Sequence, residues 1–441
     1  MSEQINRRDF IRRAAVSGAG LSLAMSGAST GRVLGANDRI RLGLIGCGRQ
    51  GCDDMQNFLH QGVEIAAVCD VYEPNLRKGL EAAGGKAKAL KDFRQVLDDK
   101  EIDVVIVATP DHWHPLPTVM ACQAGKDVYV EKPICVAVEE GKKMVETARK
   151  YKRVVQVGLW QRSNVHFQKA VQLDQDGLIG KVTYARTWNY SNIYPEGIGN
   201  PPDSDPPPYF DWDWWLGPAP KRPYNRNRGI YNFRWFWDYS GGILTDWGTH
   251  LMDVVHWAMG VDAPKTILAT GGKYVLDDNR ETPDTLEVLY EYPASDVSGK
   301  EFVARFSNRV ANGHGPDGHS YGTQFYGTDG TLFIDRSGYT LWPEASRVGP
   351  ERFMSGNVIK GGGSAQHYPH VLNFLDCLKS RQKPNSDVET MHRSTSAGLL
   401  AAIAFKLRRK LAWDAQQEQF PGDAEANQLL TKEYRKPWKV A

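Results

Sequence analysis

The stretch that most restricts what this chain can become is residues 40–51, where the apolar run Ile40-Arg41-Leu42-Gly43-Leu44-Ile45 opens directly into Gly46-Cys47-Gly48-Arg49-Gln50-Gly51. Glycines spaced G-x-G-x-x-G after a strand make a tight turn. They let the backbone approach a pyrophosphate and lay the phosphates on the N-terminus of the following helix. The motif alone is a weak signal, and its surroundings strengthen it. Residues 63–69 read as a second buried strand that ends in Asp70, about 20 residues past the glycines, where a carboxylate can bind an adenosine ribose. A carboxylate at that place repels a 2′-phosphate and can bond a free 2′-hydroxyl, which favours NAD over NADP. Arg77 and Lys78, a few residues on, soften that preference.

Beyond this unit the chain alternates strand-like and helix-like segments, as a doubly wound parallel sheet does. Strands are predicted at 40–45, 63–69, 103–108, 127–130 and 154–157, and helices at 118–124 and 138–151. Ligands of such sheets sit past the carboxyl ends of the strands. The residues there are polar and specific: Thr109-Pro110-Asp111-His112-Trp113-His114 in one loop, Glu131-Lys132-Pro133 in the next, then Gly158-Leu159-Trp160-Gln161-Arg162. Asp111 suits a helix cap as well as a ligand role, and either histidine could simply be packed.

Taken in order, Gly46-x-Gly48-x-x-Gly51, Ala108-Thr109-Pro110 with His114, and Glu131-Lys132-Pro133 resemble the Gfo/Idh/MocA family of nicotinamide-dependent oxidoreductases, from about Asn37 into the C-terminal half. The resemblance implies that Lys132 sits at the nicotinamide and touches the substrate oxygen. An ammonium aimed at an oxygen that gains negative charge stabilises the transition state. The residues expected around the cofactor are Gly46, Cys47, Gly48, Arg49, Gln50, Gly51, Asp70, Thr109, Pro110, His114, Glu131, Lys132, Gln161 and Arg162.

A second constellation lies at residues 241–253. Ile243, Leu244, Trp247, Leu251, Val254, Val255 and Ala258 form an apolar helical stripe, and Asp246, His250 and Asp253 fall within roughly 60° of one another beside it at 100° per residue. The family sets an Asp and a His four residues apart against the lysine, which by resemblance are Asp246 and His250. Oxidation of a secondary alcohol needs a proton acceptor, and histidine titrates near neutrality. Lys132 and His250 are both candidates for that proton. The same three residues also make a conceivable metal-ligand set, although the resemblance implies redox chemistry without a metal.

The segment 190–237 breaks the α/β rhythm with Pro201-Pro202, Pro206-Pro207-Pro208 and a cluster of aromatics at Trp212, Trp214, Trp215, Trp235, Phe236 and Trp237. So many aromatics argue against disorder. A substrate lid offering flat faces to sugar rings, or an arm on a neighbouring subunit, both suit it. Between 265 and 335 several β-like stretches (285–292, 301–310, 324–326) imply a largely antiparallel sheet. Helical patterns at 369–379 and 394–410 are expected to pack back on the body. The expected organisation is an NAD-binding Rossmann domain at 37–158 and a C-terminal α+β domain at 159–441 with a large open sheet, through which the resemblance implies homo-oligomers.

Residues 1–36 stand apart. Asn6-Arg7-Arg8-Asp9-Phe10-Ile11-Arg12 followed by an uncharged small-residue run has the form of a twin-arginine export signal. That run, about 17 residues rich in Gly, Ser and Ala, is too weakly apolar for a good membrane span, so export to the periplasm without a stable anchor is expected. A net charge of +2 over 441 residues gives no reason to expect nucleic acid. The six cysteines show no C-x-x-C and no zinc-ribbon spacing, so buried reduced thiols are predicted. The function expected is an NAD-dependent oxidoreductase acting on a secondary alcohol of a sugar, polyol or glycoside. The alternative is a glycoside hydrolase working by transient oxidation, elimination and re-reduction with recycled NAD.

Overall fold

A computed structural model describes residues 39–348, 351–354 and 356–440; the export segment expected at 1–36 lies outside the described residues. The N-terminal part is built on short, mostly apolar strands: β1 (Arg41–Ile45), β2 (Glu64–Cys69), β3 (Lys88–Leu90), β4 (Val104–Val107), β5 (Asp127–Val130) and β6 (Val155–Val157). β4, β5 and β6 are buried at every position, as strands covered on both faces must be. The six run parallel in the order β3-β2-β1-β4-β5-β6. The order reverses between β1 and β4, the place where a crevice opens at the carboxyl ends. Helices α1 (Arg49–Leu59), α2 (Glu73–Ala82), α3 (Phe93–Asp98), α4 (Pro115–Gln123) and α5 (Val138–Lys150) connect the strands. β3 carries no periodic signal in the sequence, being three residues long with two of them exposed.

After α6 (Val165–Gln175) the chain builds a nine-stranded sheet ordered β16-β13-β12-β11-β7-β10-β9-β8-β17. Its members are β7 (Val182–Tyr190), β8 (Thr266–Gly272), β9 (Thr285–Tyr292), β10 (Phe302–Arg309), β11 (Tyr321–Gly327), β12 (Gly330–Asp335), β13 (Gly338–Pro343), β16 (Ile359–Gly362) and β17 (Leu411–Ala412), with a separate hairpin of β14 (Ala345–Val348) and β15 (Glu351–Met354). Every neighbouring pair is antiparallel except β7 with β10, so the sheet is mixed and mainly antiparallel, as expected. β7, at its centre, went unforeseen.

Helices α8 (Ile243–Asp246), α9 (Gly248–Met259) and α11 (Val388–Leu407) belong to this second part. α10 (His367–Ser380) returns to the first, where Phe374 packs edge-on against Phe58 of α1 and Tyr129 of β5 at 6.0 and 5.9 Å. The aromatic segment 190–237 carries the short helix α7 (Trp212–Leu216) and packs on the loops that follow β2 and β4. The Glu73 and Asp211 amides bond across it to the Tyr209 and Val71 carbonyls. Trp215 stacks on Trp212 at 4.7 Å, and its carbonyl accepts the Trp113 indole N–H at 2.8 Å. All six cysteines are free, five buried and Cys52 partly so. Among the described residues no helix is long and apolar enough to cross a membrane.

Candidate active site

A cavity of about 540 Å³ opens at the switch point between β1 and β4 and extends to the second sheet. Its floor is the glycine turn. Gly46 takes φ +97°, in the left-handed region, and a Cβ there would lie 2.5 Å from the Ala108 carbonyl oxygen. At Gly51 a Cβ would meet the Gly46 oxygen at 2.1 Å, so only glycine lets α1 pack this close. Gly48 faces open space, its nearest atom being Asn75 Nδ2 at 4.0 Å, and it begins α1 with no side-chain cap. An uncapped helix N-terminus facing a cavity is an anion site.

Asp70, at the end of β2, also lines the cavity. It accepts the amides of Cys47 and Tyr72, both at 2.8 Å, and burial pushes it up to about 6 despite those bonds. Arg49, Gln50, Thr109, Pro110, His114, Glu131 and Lys132 line the same space. His114 ties the two loops together, Nδ1 lying 2.7 Å from the Pro133 oxygen and Nε2 2.7 Å from the Thr109 oxygen. The Thr109 hydroxyl is buried with no protein partner. An uncapped helix end, an orphaned hydroxyl and an anchored carboxylate are what a dinucleotide would need here, and the residues fit it.

The decisive contact joins the two parts of the chain: Lys132 Nζ donates to Asp246 Oδ1 at 2.5 Å. Both side chains are below one-fifth exposed, and Arg234 Nε stands 3.7 Å from the other carboxylate oxygen. Burial opposes both charges but the pairing outweighs it. Asp246 and Glu131 hold the Lys132 ammonium above its ordinary value, and Lys132 and Arg234 hold Asp246 well below the carboxylate range. The cavity therefore presents a fixed ammonium and a fixed carboxylate at neutral pH.

Several expected site residues sit elsewhere. Cys47 contributes its amide, but its thiol is buried behind the turn, as is Gly51. His250 is buried between Trp160 and Trp247, with ring centroids 5.9 Å from each, and it stands behind the cavity wall that Asp246 and Trp247 form. Burial, then Arg336 and Lys132, push it well below its ordinary value, so it is a neutral imidazole with an unpartnered Nδ1. The single helical face predicted for Asp246, His250 and Asp253 is broken at Trp247, between α8 and α9.

Asp253, fully buried, is grasped by Arg162 through three contacts of 2.9 to 3.1 Å and by the Ser394 hydroxyl at 2.7 Å. Arg162, expected at the cofactor, is thus an internal counter-ion and does not line the cavity; buried Gln161 does not line it either. Among the described residues no group of three His, Cys, Asp or Glu could hold a metal ion. Asp111, which the sequence offers as either a helix cap or a ligand, lines the cavity, pushed up to about 7 by burial and hydrogen-bonded by Ser240, and Arg234 and Arg336, unforeseen in the sequence, stand in the same wall. No local pattern marks those two arginines, since each arrives from a distant loop.

The fold and this crevice define a class: a dinucleotide-binding Rossmann domain joined to an α/β domain that closes over its carboxyl edge. Residues 40–159 match the model of the oxidoreductase family with an NAD-binding Rossmann fold, and residues 164–294 and 364–440 match that family's C-terminal alpha/beta domain. The chain belongs to the Gfo/Idh/MocA oxidoreductase family. Inositol 2-dehydrogenase of Salmonella typhimurium is 28% identical over 159 residues, 35% of this chain and 47% of that protein, so the chain spans about half the length of that relative. A glycosyl hydrolase family 109 protein of Shewanella sp. (strain W3-18-1) is 23% identical over 453 residues, 87% of this chain and 90% of that protein. The WlbA dehydrogenase of Bordetella pertussis, solved with NADH and UDP-GlcNAcA, shares the fold with a TM-score of 0.61 at 18% identity, over 85% of this chain and 99% of that one.

Arg162→Ala is expected to leave the NAD dissociation constant within about twofold and to lower unfolding free energy by about 3–5 kcal/mol, the cost of stranding a buried carboxylate. Denaturant titration beside NAD titration checks this. A weakened NAD with unchanged stability would restore Arg162 to the cofactor site.

Proposed function

We propose that the chain oxidises or reduces a secondary alcohol of a sugar or polyol, with NAD as its partner. One observation carries the reading: an ammonium and a carboxylate locked 2.5 Å apart at the end of the crevice that the glycine turn begins. The glycine turn, Thr109 and Asp70 would hold the dinucleotide, Asp70 accepting ribose hydroxyls and disfavouring a 2′-phosphate. When bound, the nicotinamide supplies the hydride acceptor for the carbinol carbon.

The rest falls to side chains of the chain itself. Lys132, kept charged by Asp246, holds the substrate oxygen and stabilises negative charge developing on it. It is a donor in the resting state, so it delivers a proton in the reducing direction. In the oxidising direction the same Lys132 nitrogen takes the proton back, as microscopic reversibility requires, while the neutral His250 stays behind the wall formed by Asp246 and Trp247. Trp214, Trp215, Tyr231, Phe233 and Trp247 give the cavity flat apolar faces suited to a sugar ring.

Lys132→Ala is expected to lower kcat/KM for the best sugar or polyol by about 10²–10⁴-fold while NAD binding falls far less, as read by NADH absorbance and NAD titration. Turnover unchanged in the variant would sink the reading.

A second reading, hydrolysis of glycosides through oxidation, elimination and re-reduction, is favoured by the family 109 relatives, whose match runs over 87% of the chain. Nitrophenyl glycosides separate the two. Nitrophenol release without net NADH selects the hydrolase, and accumulating NADH with the glycosidic bond intact selects the dehydrogenase.

A further inference from the structure

The inner end of the cavity holds more positive charge than the redox chemistry uses. Lys132, Arg234 and Arg336 line it, against Asp246, Asp111 and Glu131. Only Asp246 is firmly ionised. Burial pushes Asp111 up to about 7, and it pushes Glu131 to about 7 as well. The buried Asp54 lies near Glu131 and is itself raised, by burial first and then by Glu131. Asp246 already serves Lys132 and Arg234.

Arg336 is left over. It projects from the turn between β12 and β13, and among the described residues no ion pair ties it to a carboxylate; its Nε is buried with no hydrogen-bond partner. The guanidinium carbon lies 4.2 Å from the Trp160 ring centre and 4.4 Å from that of Trp247, which hold the fork between two indoles. Its charged neighbours are Asp246 and Glu131, which place it at the Lys132 end of the cavity and away from the glycine turn. Of the other titratable groups around it, the Tyr321 hydroxyl is raised by burial, and His250 and His367 are both held neutral, by burial first and then by Arg336 itself. None of these supplies an anion. The half-buried guanidinium has no carboxylate bonded to it and shares the field of Asp246 with Lys132 and Arg234, so a ligand that brings its own carboxylate gains a charge-assisted pair here.

We propose that Arg336 is a subsite for a substrate carboxylate, so that the molecule handled at Lys132 is a sugar acid of the uronate class. The planar fork matches a carboxylate with two parallel N–H donors. The sugar's identity rests on the redox reading of the cavity, whereas the anion subsite stands on Arg336 alone. The carboxylate is a spectator in the electron count. The carbinol C–H would leave as a hydride to a bound NAD and the O–H as a proton through the protein to water, as the C=O forms.

The test is calorimetric titration of the NAD-saturated protein with D-glucuronate and D-galacturonate, against D-glucose, D-galactose and D-glucose 6-phosphate. Uronates are expected to bind about ten- to a hundred-fold more tightly than their neutral parents, the range of a hydrogen bond to a charged group. That advantage should vanish in Arg336→Gln and persist in part in Arg336→Lys, with NAD affinity titrated separately in each. The proposal is overturned if uronates bind no better than neutral sugars in the wild-type protein, or if the phosphate ester is preferred. It is also overturned if the advantage survives Arg336→Gln, or if the loss in that variant falls on NAD. The redox reading fails separately: uronates that bind through Arg336 yet yield no NADH uphold the subsite and refute the chemistry, whereas neutral sugars that turn over with no uronate advantage do the reverse.

Discussion

The pairing of Lys132 with Asp246 is the constraint on which the site depends. The two residues stand 114 positions apart, one after β5 of the N-terminal sheet, the other at the end of α8. They meet only when the second part of the chain docks over the first. Each charge is too buried to stand alone, and removal of one member of such a pair leaves the other stranded at about 3–5 kcal/mol. The contact therefore joins folding to chemistry. The geometry that keeps the domains together also keeps an ammonium charged where a substrate oxygen would lie.

Around that pair the cavity divides its labour. The N-terminal domain contributes a glycine turn, an uncapped helix end and the loops bridged by His114, together with the side chains of Asp70, Thr109 and Lys132. The second domain contributes side chains: Asp246, Arg234, Arg336 and the aromatic wall of the 190–237 segment. Backbone amides read phosphates, which any dinucleotide presents. Side chains read the variable partner. His250 stands apart, neutral and enclosed by two tryptophans, close to the pair without facing the cavity.

Much of this was legible in the sequence where the physics is local. Gly46, Gly48 and Gly51 are dictated by a turn and a close approach of helix to strand, so their spacing carries the message unaided. The buried parallel strands announce themselves as short apolar runs, and Asp70 follows the second by the distance a ribose site requires. Lys132 and Asp246 were found through motif order and helical spacing. What failed was non-local. Arg162 looks like a cofactor ligand until a fold brings Asp253, 91 residues away, against it. Asp246, His250 and Asp253 share a stripe on paper, but the break at Trp247 and three different sets of partners send them apart. Arg336 is one arginine among many in the sequence, and only the pair of indoles around it and the missing counter-ion give it meaning. β7 was overlooked because Val-Thr-Tyr-Ala-Arg-Thr-Trp alternates weakly, and its place in the centre of the sheet comes from partners that precede nothing nearby in the chain.

The most direct measurement of the central claim is the titration of Lys132 itself, by NMR of lysine side-chain nitrogens in the wild-type protein and in Asp246→Asn. The account predicts that the Lys132 ammonium stays protonated above the ordinary lysine range in the wild-type protein, and that its pKa falls when the neutral amide removes the counter-charge and leaves burial unopposed. An ordinary lysine titration that is the same in both proteins would contradict it.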